Sequence, residues 1–229
     1  MSKRHMKCYA MPKTWHFKRK GIMFITRPYP RVKLEFGLPL NVIIRNMLGY
    51  ASNSKEVKHI LLNKQVLVNT KNIKEPKFML GLMDVIAFPE KNKYFRLLIN
   101  PQGRLFLAEI KKEEANEKLS RVIGKTALKK GKIQLNLDDG TNIILSKNEY
   151  SIGDSVLIEF PNKIKAVAKL EKGNLAYLLG GKHIGRITII ESISGKRVML
   201  NREGESFETP RHYIFVVGKD KPLIDIKPE

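Results

Sequence analysis

The sequence predicts an α+β chain built from several small modules: a basic extended N-terminal arm, a helix hairpin, a central β-rich domain and a small C-terminal β-barrel. Three observations carry this reading. Positive charge is concentrated at the start of the chain, apolar residues between positions 40 and 61 recur at helical spacing, and much of the remainder breaks into short apolar runs separated by turn residues. With 229 residues, 42% of them apolar but only 8% aromatic, the chain can bury several modest cores rather than one large one.

The arm comes first, over residues 1–36. Lys3, Arg4, Lys7, Lys13, Lys18, Arg19, Lys20, Arg27, Arg31 and Lys33 all precede the first acid, Glu35, so residues 1–34 carry +10 of the formal net charge of +21. A charge of this size speaks to a polyanionic partner rather than to a fold. Pro12, Pro28 and Pro30 break the segment, and five aromatic residues (Tyr9, Trp15, Phe17, Phe24 and Tyr29) are interleaved with the bases. A merely solubilising tail is usually poor in aromatics, so the arm reads as a binding element, mobile until its partner orders it.

Residues 37–90 form the next module. Leu40, Ile43, Ile44, Met47 and Leu48 make one apolar helix face that ends at Gly49, leaving Arg45 and Asn46 on the other side. A second helix starts after Asn53, with Glu56 placed for a capping box, Val57, Ile60 and Leu61 inside, and Lys55, Lys58, His59 and Lys64 outside. Gln65 to Val68 and Asp84 to Phe88 read as strands, with Asn69 to Asn72 as a turn. The central domain is expected over 91–170. It opens with a helix over 108–121 carrying Ala108, Ala115 and Leu119 inside and Lys118 on a solvated outer face. Strands follow over 132–137 and 142–145, joined through Asp138-Asp139-Gly140, and over 155–160 and 164–168. Short strands within 171–218 suggest a small barrel, with a tail over 219–229.

Catalytic chemistry is missing from the pattern. His5, His16, His59, His183 and His212 are scattered, without the spacing of a metal-binding helix. Gly124-Lys125-Thr126 imitates the end of a phosphate loop, but Leu119 occupies the place of its first glycine. Asp138 and Asp139 sit beside a glycine and read as a turn. The single cysteine, Cys8, permits no internal disulfide. No run approaches the roughly 18 to 20 apolar residues of a membrane span, and no secretion-signal core is present, so a soluble cytoplasmic protein is expected. No cofactor, metal, membrane or small-molecule substrate is expected.

Several segments carry a family resemblance. Pro39-Leu40 through Gly49-Tyr50-Ala51, Pro76 to Val85 and Gly131 to Leu137 resemble the archaeal and eukaryotic (e-type) family of small-subunit ribosomal protein four. Gly180-Gly181-Lys182-His183-Ile184-Gly185-Arg186 is similar to that family's KOW segment, and Ile214 to Lys219 to its C-terminal signature. The chain departs from the family at Thr70 and near Asn63, where glycines are usual.

The resemblance implies a helix-hairpin RNA-binding module over 37–90, a KOW (SH3-like) barrel over 171–218, and a structural role in the small ribosomal subunit beside its ribosomal RNA and neighbouring subunit proteins. The expected RNA contacts are Lys3, Arg4, Lys7, Lys13, Trp15, Lys18, Arg19, Lys20, Arg27 and Arg31 in the arm, with Trp15 and its fellow aromatics stacking on unpaired bases. Arg45, Lys55, Lys58 and Lys64 follow in the hairpin. In the KOW loop, Gly180 and Gly181 would let backbone approach phosphate while Lys182, His183 and Arg186 project from it. The alternative is a KOW-containing transcription or translation factor that binds RNA. An RNA-modifying enzyme would need a further catalytic domain.

Overall fold

Pro12, Pro28 and Pro30 fix φ and remove backbone donors, which keeps residues 5–36 out of long helices and ladders. In the structure, a computed structural model that describes residues 5–146, 149–161, 163–202 and 204–226, this stretch holds two short paired strands, β1 (Met6–Lys7) and β2 (Phe24–Ile25). It is nonetheless folded onto the protein. Met6, Cys8, Met11 and Trp15 are buried, and the backbone N–H of Tyr29 donates to Lys77 O while that of Leu105 donates to Thr14 O. In place of an extended strand of chain, the structure shows a docked segment with apolar side chains beneath it. Burying a large apolar side chain is worth about 1.5 to 3 kcal/mol, and several such anchors outweigh screened repulsion between exposed lysines.

β3 (Gly37–Pro39) leads into α1 (Leu40–Val42), which continues as a π-helical turn over Ile43–Met47. The expected inner face is present: Leu40, Ile43 and Ile44 are fully buried, and Gly49 closes the turn at φ +64°. The widened turn is completed by Leu48 N–H donating to Ile43 O at 3.0 Å. α2 (Ser54–Asn63) starts at an Asn53 cap whose side-chain oxygen accepts from Glu56 N–H at 2.9 Å, and Glu56 reaches back to Ser52 N–H at 2.7 Å. The capping box therefore forms with its return bond one residue earlier than usual.

β4 (Leu67–Val68) and β5 (Lys71–Asn72) close over Asn69 and Thr70, at φ +49° and +66°. Thr70 thus holds the left-handed conformation for which glycine is normally chosen. β6 (Met79–Gly81) pairs with β3, and β7 (Val85–Phe88), β8 (Lys93–Ile99) and β9 (Leu105–Glu109) complete an antiparallel sheet of order β5-β4-β7-β8-β9. The module boundary expected after residue 90 falls inside this sheet. Pro89 to Asn92, which straddle that boundary, form the turn of a β7–β8 hairpin, and the first compact unit continues to Asn116.

The helix expected over 108–121 is also corrected: Glu113–Asn116 is a single 3-10 turn, and from Glu117 the chain runs extended as β10 (Glu117–Ala127). Ala115 and Leu119 mimic a helical face by their spacing, but Leu119 pairs opposite Leu157, and tertiary pairing overrides local propensity. Lys118, expected in solvent, is buried against Asp139 as an ion pair.

The second unit, residues 100–103 and 117–229, contains two five-stranded antiparallel sheets. One has the order β12-β11-β10-β13-β14, using β11 (Ile133–Leu137), β12 (Asn142–Leu145), β13 (Ser155–Glu159) and β14 (Lys163–Ala168) around a core that includes Val122, Leu135, Leu137 and Val156. The other has the order β18-β17-β16-β15-β19, using β15 (Leu175–Leu178), β16 (Ile187–Ser194), β17 (Arg197–Arg202), β18 (Glu205–Pro210) and β19 (Ile214–Gly218). Its core gathers Ala176, Leu178, Ile190, Val198, Leu200 and Val216. Arg121 ties the two sheets by donating from Nη1 to the carbonyls of His212 and Ile214, each at 2.8 Å. The expected tail is part of the fold as well, since Ile224 and Ile226 are buried and Leu223 N–H donates to Val217 O.

The acidic pair at the β11–β12 turn has a structural use. Asp139 Oδ1 accepts from Thr141 N–H and Oγ1, and Asp138 Oδ1 accepts from Arg121 N–H at 3.0 Å. Burial pushes the Asp138 carboxyl from an ordinary 3.8 up to about 6, against the opposing pull of Lys118 and Arg121. A carboxyl whose folded pKa is raised contributes stability while protonated and loses it as pH rises through about 6. Asp138→Asn, which keeps the acceptor and removes the charge, is expected to stabilise the protein at pH 7 by on the order of 1 to 3 kcal/mol. The gain should vanish near pH 4 in urea unfolding; an equal effect at both pH values would refute the assignment.

Candidate nucleic-acid interface

Asp84 determines which arm cations remain available. Its side chain is fully buried, accepting from Gly81 N–H at 2.6 Å and from Asn69 Nδ2 at 2.7 Å, and it pairs with Arg31 at 2.5 Å. A buried carboxylate demands such partners, because an uncompensated charge away from water costs several kcal/mol. Arg31 also donates to Met79 O and lies 5.4 Å above the Phe78 ring. Its expected role as an RNA contact is therefore corrected to that of an arm anchor.

Trp15 is corrected likewise. It is 3% exposed with its indole N–H on Leu34 O, so it cannot stack on a base. Arg19 is half-buried and donates to Met11 O at 3.1 Å. Lys3 and Arg4 lie outside the described residues. Lys7, Lys13, Lys18, Lys20 and Arg27 are exposed.

The fold brings one exposed arm cation to the helix hairpin. A cleft of about 590 Å³, within the range of ligand-sized sites, is lined by His16, Phe17, Lys18, Ile22, Phe24 and Ile25 of the arm, Arg45 and Asn46 of the π-helical turn, and Arg104 of the β8–β9 connection. Arg45 is held in place, donating from Nε to Asn46 Oδ1 at 3.0 Å and from Nη1 to Ser54 Oγ at 3.4 Å. Phe24 is 50% exposed, and the neighbouring apolar residues Ile22 and Met23 are exposed as well. Arg104, His16 and the cleft itself were not foreseen, because only the folded chain places Arg104 beside the arm.

Of the other hairpin cations, Lys55 and Lys58 are exposed on α2, and Lys64 is paired with Glu90 at 3.3 Å. The Gly180 to Arg186 loop differs more from its expected use. Gly180 is buried, and a β-carbon there would meet the Tyr213 ring at 2.4 Å; at Gly185 one would meet the Asn100 backbone at 2.3 Å. These glycines allow close packing within the protein rather than approach to phosphate. His183 stacks on Phe207 with ring centroids 4.2 Å apart, whereas Gly181, Lys182 and Arg186 are exposed. Among the described residues, no three His, Cys, Asp or Glu side chains gather to hold a metal, and no helix is long and apolar enough to cross a membrane.

The chain is similar to known proteins over most of its length. A family model described as ribosomal family S4e matches residues 91–164. Small ribosomal subunit protein eS4 of Methanosphaera stadtmanae is 41% identical to this chain over 234 aligned positions, covering 98% of it and 96% of the relative. The protein of the same name from Methanocaldococcus jannaschii is 38% identical and covers 98% of both chains. Among solved structures, the 30S ribosomal protein S4e of Thermoplasma acidophilum superposes with a TM-score of 0.70 at 32% identity, covering 80% of this chain and 96% of that one.

The packing of the loop yields a direct check. Gly180→Ala is expected to cost on the order of 1 to 3 kcal/mol through overpacking against Tyr213, whereas Lys182→Ala, at an exposed site, should stay within about 0.5 kcal/mol of the parent. Urea unfolding of the two variants measures the difference. Equal stabilities would return Gly180 to a surface role.

Proposed function

This chain belongs to ribosomal family S4e, and we propose that it is a structural constituent of the small ribosomal subunit that grips ribosomal RNA with its docked arm, its helix hairpin and the 180–186 loop. The role is architectural and no reaction is catalysed. Likeness to subunit proteins along nearly the whole length of both partners supports this reading over a transcription or translation factor, which would share only a module. The chain's place is then the cytoplasm, within the ribosome.

The observation that carries the RNA-binding reading is the convergence of Lys18, Arg45 and Arg104 with Phe17 and Phe24 on one cleft. Cations near phosphates gain affinity by releasing condensed counterions, whatever the sequence. Exposed Lys7, Lys13, Lys20, Lys55 and Lys58 extend the positive surface beyond the cleft, and Lys182 and Arg186 supply a second contact from the loop. Structured RNA is recognised in this way mainly by backbone and shape. Ile123, Ile144 and Ile152 of the second unit are each more than half exposed and offer no ring to stack on a base; they suit contacts with neighbouring subunit proteins.

Deleting the arm would expose the core beneath it, so its electrostatics are better tested by neutralisation. Replacing Lys7, Lys13, Lys18 and Lys20 by Gln should lower the slope of log affinity against log salt by about 3 for small-subunit ribosomal RNA, at roughly 0.7 to 0.9 per phosphate contact. Emission of Trp15, the single tryptophan, should be unchanged. An unaltered slope would show that the arm does not engage phosphate.

A further inference from the structure

The cleft between the arm and the π-helical turn is lined in a way that phosphate binding alone does not explain. A surface that only tracks a duplex backbone needs cations and a matching shape, because the bases of an RNA helix are stacked away inside it. Here the cations Lys18, Arg45 and Arg104 share the lining with Phe17, Phe24 and an Asn46 amide. Half-exposed Phe24 adjoins exposed Ile22 and Met23, and a contiguous apolar patch of this kind marks an interaction site.

Resting on the RNA-binding reading above, we propose that this cleft receives one unpaired nucleotide extruded from structured RNA. Every base has a π-face that an aromatic ring can stack upon. Arg45 Nε donates to Asn46 Oδ1, which fixes the orientation of the Asn46 amide. Its Nδ2 carries no hydrogen bond to another described residue and serves as a donor toward an acceptor on a base edge. Arg45 is itself fixed by Asn46 and Ser54, so it reaches the site preorganised, and the adjoining phosphate is met by Lys18 and Arg104. The aromatic groups belong to the arm and the fixed guanidinium to the hairpin, so the site exists only while the arm is docked. A protein segment is the other class of occupant that an apolar, cationic cleft could take. The amide donor and the two phenyl rings in the lining favour a base.

The test compares two RNA hairpins of identical stem, one carrying a single bulged 2-aminopurine, binding to the full chain at about 0.15 M salt. The bulged RNA should bind at least about fivefold more tightly, with the probe's fluorescence quenched on binding. Phe24→Ala should abolish the preference and the quenching, so that the two hairpins bind alike, with Trp15 emission unchanged. Because Phe17 is more deeply placed, Phe17→Ala serves as a second variant, scored only if Trp15 emission is retained. Equal binding of bulged and plain hairpins, or a preference that survives both variants, would overturn the nucleotide site while leaving RNA binding intact. Failure of the chain to bind either hairpin or small-subunit ribosomal RNA would remove the RNA-binding reading with it. A p-benzoyl-phenylalanine at position 24 that crosslinks to protein rather than RNA in assembled subunits would assign the cleft to a protein neighbour.

Discussion

A single buried carboxylate sets much of the arrangement of the first unit. Asp84 is fully buried, so the chain must supply its partners, and it draws them from Asn69 at the β4–β5 turn, the nearby Gly81 at the end of β6, and Arg31 in the arm. Asn69 in turn accepts from Val85 N–H at 2.9 Å. These bonds hold Asn69 at φ +49° beside Thr70 at φ +66°, a position suited to glycine. Removing one member of such a network strands the others, which is why its energetic weight exceeds that of any single bond.

The arm's cations fall into two populations with different work. Arg31 and Arg19 are engaged by protein groups, and they hold the arm against the sheet and against itself. Lys7, Lys13, Lys18 and Lys20 stay in solvent. A planar guanidinium can satisfy a carboxylate and a carbonyl at once, as Arg31 does, while a lysine ammonium is more strongly hydrated and stays outside unless paired. The buried lysine, Lys118, is the exception that keeps the rule, since Asp139 neutralises it. High net charge and an ordered arm are therefore compatible, because the apolar anchors Met6, Met11 and Trp15 sit between the bases in sequence but beneath them in space.

Local pattern made some of this legible. The helical spacing of Leu40, Ile43 and Ile44, the Asn53–Glu56 cap and the Asp138–Gly140 turn all depend on neighbours within a few residues, and each appears where the sequence puts it. What local pattern missed depends on partners far along the chain. Leu119 belongs to a strand because of Leu157, Lys118 is buried because of Asp139, Gly180 is small because of Tyr213, and Arg104 joins a cleft whose other walls are in the arm and the π-helical turn. Trp15 shows the limit most plainly. An aromatic among lysines has the same sequence signature whether it stacks on a base or anchors a segment, and only its contact with Leu34 separates the two.

The central claim is that the arm is docked through buried anchors before any RNA arrives, so that it presents a formed surface rather than one moulded by the partner. Amide hydrogen exchange on the free full-length protein tests this directly. The amides of Cys8, Tyr29 and Leu105, bonded to Met23 O, Lys77 O and Thr14 O, should exchange about 100-fold or more slowly than in an unstructured peptide. Exchange of Cys8 and Tyr29 at the unstructured rate, with β7 and β8 still protected, would show that the arm folds only on RNA and would contradict the account.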